Sequence, residues 1–167
     1  MTAPVKTRVP ALAPLRLPVF AAPMFLISGP DLVVAACRAG IVGAFPTPNA
    51  RPIEVLEDWM ARIADGLAQA RDELGADRVA PWCANLMTHR SNERLPEDLA
   101  LIGRYRPPVV VTALGGPRPA IETVHGYGGL VFADQPANSA LLMTAGIATT
   151  TPLLLFGAAA IRLPLVV

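Results

Sequence analysis

Between residues 17 and 134 the chain alternates short, unbroken apolar runs with longer stretches in which apolar side chains recur every three or four positions. The short runs are LPVFAAPM (17–24), IVGAF (41–45), VAPWCANLM (79–87), PVVVTA (108–113) and GLVFA (129–133). They lack the in/out alternation of a strand wetted on one face, so each predicts a strand buried on both faces, as in a parallel sheet covered by helices. The stretches between them predict helices. Residues 28–40 start at Ser28 or Gly29, carry Pro30 and Asp31 in the first turn and end on Gly40. Residues 52–74 put Ile53, Leu56, Met60, Ile63 and Leu67 on one face and gather Glu54, Glu57 and Asp58 where the helix dipole favours negative charge. Residues 96–105, with Leu99 and Ile102 turned inward, and residues 117–126 predict two shorter helices.

The order β-α-β-α-β-α-β-α-β predicts an α/β domain over residues 17–134, built from βα repeats. Residues 1–16, broken by Pro4, Pro10 and Pro14, predict an irregular arm. From Gln135 the rhythm stops. Residues 137–167 hold Arg162 among Ala, Leu, Thr and Val, and predict an apolar tail that covers an open sheet edge instead of extending the repeat. An apolar stretch of about 20 residues is long enough to cross a bilayer, but Pro152, Arg162 and Pro164 fall inside this one and argue against a span.

Composition narrows the function. Hydrophobic residues make up 53% of the 167 and charged residues 16%, which excludes a disordered or heavily solvated chain. A net charge of +1 leaves no basic excess for a nucleic-acid surface, so the expected partner is a small molecule; a homo-oligomer is compatible with the same composition. Cys37 and Cys83 lie in apolar contexts and are expected as reduced, buried thiols. The first residues carry no continuous apolar core of the secretory type, so the expected location is the cytoplasm.

The unusual residues gather at the C-terminal ends of the strands: Pro23 and Met24, Asn85, Thr112 and Asp134. In α/β barrels that rim carries the chemistry. On the residues alone, Ala22-Pro23-Met24 also suits a core strand ending in a proline turn, and Asn85 a loop residue capping a turn.

Three stretches in order resemble the nitronate monooxygenase family, also known as 2-nitropropane dioxygenases. They are PVFAAPMFLISGPDLVVAACRAGIVGAF (18–45), CANLMTHRSN (83–92) and PPVVVTALGGPRPAIETVHGYGGLVFAD (107–134). The resemblance covers about residues 17–134, the family's N-terminal portion. It implies a partial (β/α)8 TIM barrel of about five N-terminal βα units followed by the atypical apolar tail. It also implies an oxidoreductase that uses flavin mononucleotide (FMN) to oxidise alkyl nitronates with oxygen. The Ala22, Pro23 and Met24 backbone would lie against the flavin ring, Asn85 would hydrogen-bond the ring through its amide, and Thr112 would contribute from the end of the fourth strand.

The family's catalytic histidine lies in a Gly-Gly-His loop after strand six, and neither His89 nor His125 stands in such a loop. Both read as surface or turn residues, and no catalytic residue is assigned. Leu114-Gly115-Gly116-Pro117 is a weak phosphate-turn signal, because the family binds phosphate with later loops. A full barrel takes about 250 residues, so the tail suggests a truncated or frame-shifted product, or an internal deletion, of doubtful activity. Two alternatives stand beside the nitronate reading: a non-catalytic barrel fragment, and another FMN barrel such as an enoyl reductase, which shares the Pro-Met opening.

Overall fold

A computed structural model describes residues 10–133 and two short pieces, 148–149 and 161–162. Five strands and four helices alternate: β1 (Val19–Ala21), α1 (Pro30–Arg38), β2 (Val42–Pro46), α2 (Ile53–Leu74), β3 (Trp82–Met87), α3 (Leu95–Tyr105), β4 (Val109–Ala113), α4 (Arg118–Gly126) and β5 (Leu130–Ala133). The strands lie side by side in chain order, and every pairing from β1 to β5 is parallel. This is the βα repeat that the alternation predicts and the partial barrel that the resemblance implies. Gly40 (φ +86°) and Gly75 (φ +94°) stop the first two helices in backbone conformations that side chains disfavour.

Two pieces of the tail flank this sheet. β6 (Ala148–Thr149) pairs parallel with β5, and β7 (Ile161–Arg162) pairs antiparallel with β1. Each edge of the five-strand sheet is thus met by a two-residue strand, and the antiparallel pair departs from a barrel's repeating direction. The rest of the tail, residues 1–9 of the arm, and Asp134 lie outside the described residues. The described end of the arm is less irregular than expected. It forms a 3-10 turn at Pro10–Leu12, buries Leu12 and Leu15 in the core, and is tied by the Arg16 N–H donating to the Gly40 carbonyl at 2.8 Å.

Register sorts the strand residues into two rows. Gly43, Phe45, Ala84, Leu86 and Thr112 share the row that faces the helices. On that side Phe45 meets Trp59 of α2 edge-on (5.8 Å, 61°) and stacks on Trp82 (6.3 Å, 11°). α2 buries Leu56, Met60, Ile63 and Leu67, the stripe read from the sequence. α1 rests on the bare backbone of β2: a Cβ on Gly43 would lie 2.3 Å from the Val33 carbonyl oxygen and 2.8 Å from its Cα.

The other row, with Phe20, Ala44, Cys83, Val109 and Phe132, lines the inner side. Phe20 of β1 and Phe132 of β5 touch edge to face, with ring centroids 5.9 Å apart. A flat sheet would separate these strands by roughly 19 Å, four steps of about 4.8 Å. The sheet is therefore strongly curled.

Gly43→Ala forces α1 off β2, and a loss of about 1–3 kcal/mol is expected from such overpacking. Gly116→Ala, with no atom within 4 Å of its added Cβ, serves as the control. Urea unfolding of both variants checks this; equal midpoints would mean that α1 does not rest on β2.

Candidate functional site

The curl brings the loops after β1, β2 and β4 and the C-terminal end of β3 around one hollow of about 270 Å3 at the strands' C-terminal ends. Pro23 and Phe25 form one wall, Pro46 and Pro48 another, and Met87 and Leu114 complete it. Asn85 is the polar side chain on that lining. Its register partners Pro46 and Val111 place it on the inner row. Asn85 Oδ1 is buried and has no hydrogen-bond partner among the described residues. A buried, unpaired amide oxygen costs about 1–3 kcal/mol, and the side chain that carries it lines an apolar hollow.

The loop after β1 is held by two polar side chains. Ser28 Oγ donates to the Ala22 carbonyl (3.1 Å) and accepts from the Met24 N–H (2.9 Å). Asn49, in the 3-10 turn that follows β2, donates through Nδ2 to the carbonyls of Met24 (3.0 Å) and Ser28 (2.9 Å). Its Oδ1 accepts from the Leu26 N–H (3.0 Å). Both backbone groups of Met24 are therefore engaged inside the loop, and its side chain points outward, 36% exposed. The surfaces this loop turns to the hollow are the Pro23 ring and Phe25.

Of the residues singled out in the sequence, the structure brings Pro23 and Asn85 to the same hollow, with Ala22 and Met24 in the loop that carries Pro23. It does not bring Thr112 there. Strand side chains alternate between faces. Thr112 falls on the helix-side row with Leu86 and Ala133, is fully buried, and donates to the Phe132 carbonyl at 3.5 Å. Its neighbour Ala113 lines the hollow instead. His89 is exposed, with Nδ1 2.8 Å from Ser91 Oγ, and His125 is exposed in the last turn of α4; neither reaches the hollow. Gly115 is glycine for a packing reason, because a Cβ there would lie 2.5 Å from the Thr88 carbonyl group.

Sequence reading missed Ser28 as a loop clamp, Asn49, and a buried network beneath them. Asp98, in the first turn of α3, accepts from Thr47 Oγ1 (3.3 Å) and Asn92 Nδ2 (3.4 Å) through Oδ2. Arg94 Nε lies 2.8 Å from Asp98 Oδ1, but its N–H is not aimed at that oxygen, so the pair is an ionic contact without a proper hydrogen bond. The same guanidinium donates to the carbonyls of Ala50 (2.7 Å) and Thr47 (2.8 Å). The network joins the loop after β2 to the loop after β3. Burial raises the Asp98 pKa above the carboxylate's ordinary value, while Arg94, Asn92 and Thr47 oppose the shift. Cys37 and Cys83 are free and buried, as expected; burial pushes the Cys37 thiol up to about 12 and raises Cys83 as well.

No protein-family profile and no curated protein matches this sequence. Among solved structures, FabK from Thermotoga maritima is similar, with a TM-score of 0.67 at 20% identity over 86% of this chain and 42% of FabK. A point variant of FabK gives the same score and identity over 45% of its length. The shared architecture is the TIM barrel. This chain spans less than half of FabK, and at that identity the likeness is one of fold. Among the described residues, no helix is long and apolar enough to cross a membrane, and no group of three or more His, Cys, Asp or Glu could hold a metal ion.

The raised pKa of Asp98 fixes the sign of a pH effect. Where the unfolded carboxyl, with a pKa of about 3.9, has lost its proton, the folded one still holds it. The contribution of Asp98 to stability is therefore full below the unfolded value and declines as pH rises through the folded one. Carbon-13 NMR should find Asp98 titrating above the ordinary range, and Asp98→Asn should flatten that part of the stability–pH curve. A carboxyl that titrates normally would remove the effect.

Proposed function

We propose that the hollow at the rim of β1–β4 takes the ring of FMN, and that this chain is part of a barrel oxidoreductase acting on alkyl nitronates with oxygen. The observation that carries this reading is the buried, unpartnered Asn85 Oδ1 on an otherwise apolar wall. Such a wall suits a flat conjugated ring, and an amide suits a ring edge that presents both donors and acceptors. The volume of about 270 Å3 falls just under the roughly 300–1,000 Å3 of typical ligand sites. That is room for part of a mononucleotide, with the phosphate held elsewhere.

When bound, FMN supplies the electron acceptor. The chain's own residues bind and orient. Ala22, Pro23 and Met24 give the loop its shape, Pro23 and Phe25 shield one side from water, and Asn85 fixes the edge. Thr112 lies behind this wall, bonds the backbone of β5 and is left out of the flavin contacts. No histidine lines the hollow. A nitronate is already deprotonated, so its oxidation needs no base at that position. A cytoplasmic location accords with this chemistry.

The likeness to FabK favours a second reading, the FMN-dependent enoyl reductase. Oxygen uptake with propyl-2-nitronate supports the first reading; oxidation of a reduced nicotinamide with an enoyl thioester supports the second.

A fluorescence titration of the 167-residue chain with FMN tests the shared part of both. Weak binding is expected from ring contacts alone. Asn85→Ala should weaken it about 3- to 10-fold, the worth of one neutral hydrogen bond, whereas Thr112→Val should leave it within about twofold. Binding that ignores Asn85 would remove the assignment.

A further inference from the structure

We propose that Asn49 is the positioning residue of this site, setting the width of the hollow by clamping the loop after β1 to the turn after β2. The inference rests on the flavin reading above. Three of the four hydrogen bonds that an amide side chain can make go to a single loop, at Met24, Leu26 and Ser28. Within the loop, Ser28 Oγ bonds Ala22 and Met24 and the Ile27 and Ser28 N–H groups donate to the Met24 carbonyl, but these bonds do not tie the loop to a neighbouring element. Met24, Phe25, Leu26 and Ile27 are all exposed, so burial supplies little restraint. Leu26 also adopts φ +62°, a conformation that costs a non-glycine residue on the order of 1 kcal/mol and persists only where its surroundings impose it. Asn49 Oδ1 holds the Leu26 N–H in that conformation.

Asn49 is itself held. The Arg94 guanidinium bonds the carbonyls of Thr47 and Ala50, the residues on either side of the Pro48-Asn49 step, and Asp98 holds Arg94 by charge. Pro48 lines one wall of the hollow, while Pro23 and Phe25 line the facing one. Asn49 therefore ties the two walls together by hydrogen bonds, beside the Arg51 guanidinium 5.9 Å from the Phe25 ring centroid, and the network below fixes its turn to α3. Displacing the loop by even an ångström would separate the apolar surfaces from a ring held at Asn85.

Asn49→Ala removes all three bonds. Asn49→Asp keeps the acceptor for Leu26 but loses both donors and sets a carboxylate against two carbonyls. Both variants should weaken FMN about tenfold or more and change the visible circular dichroism of the bound flavin, which reports ring placement rather than stability. In flavin-free protein, hydrogen exchange at the Leu26 N–H should be slow in the unsubstituted chain and in Asn49→Asp, and fast in Asn49→Ala. If Asn49→Ala does not fold, the near-isosteric Asn49→Asp carries the test. Unchanged FMN affinity and an unchanged flavin spectrum in a folded variant would overturn the positioning role while leaving the flavin reading intact. No FMN binding by the unsubstituted chain would overturn both, and Leu26 exchange would then report whether the clamp exists at all.

Discussion

Phe20 and Phe132 meet across the inner side of the sheet, although three strands lie between theirs. Short side chains make this possible. Ala44, Cys83 and Val109 occupy the inner row between them, so the sheet can bend until its outer strands approach. Everything at the rim depends on this bend. The loops after β1 and β4 contribute Pro23 and Leu114 to one hollow because their strands have been turned toward each other. On the outer side the opposite demand applies: α1 comes down on β2 at Gly43, where any side chain would hold it away.

Much of this was legible in the sequence because its cause is local. An apolar run without alternation signals a strand covered on both sides, and the five runs became β1 to β5. The stripe from Leu56 to Leu67 marked the buried face of α2 before any partner was known. Asn85 stood out as an amide inside an apolar run. What was not legible depends on which face a residue takes, or on partners far along the chain. Thr112 and Ala113 are adjacent and both end a strand; only the pairing register shows that the second faces the hollow. Asn49 acts on residues 21 to 25 positions away, and Arg94 on carbonyls 44 and 47 positions away. No pattern of apolar spacing records such bonds. Nor does it record that Leu12 and Leu15, between prolines in a stretch that reads as irregular, complete the core.

The Asp98–Arg94 pair shows how polar groups are used beneath the rim. Burying a carboxylate and a guanidinium is expensive, and attraction between them often only offsets the cost. The return here is geometric. Arg94 donates to two carbonyls while its charge faces Asp98, so a short 3-10 turn closed by one backbone bond, from the Ala50 N–H to the Thr47 carbonyl, is held in one shape. An apolar pair could fill the same volume but could not choose between conformations of the Thr47–Ala50 turn.

The two cysteines carry a practical consequence. Their sulfurs lie in the packed interior, and burial keeps both protonated at neutral pH. Only a thiolate attacks an alkylating reagent or a disulfide, so neither reacts until the packing around it opens. Cys37 lies on the buried face of α1, and Cys83 lies on the inner row of β3. The protein thus contains two internal clocks: the modification rate of each sulfur in native buffer measures how often that side of the sheet is laid bare.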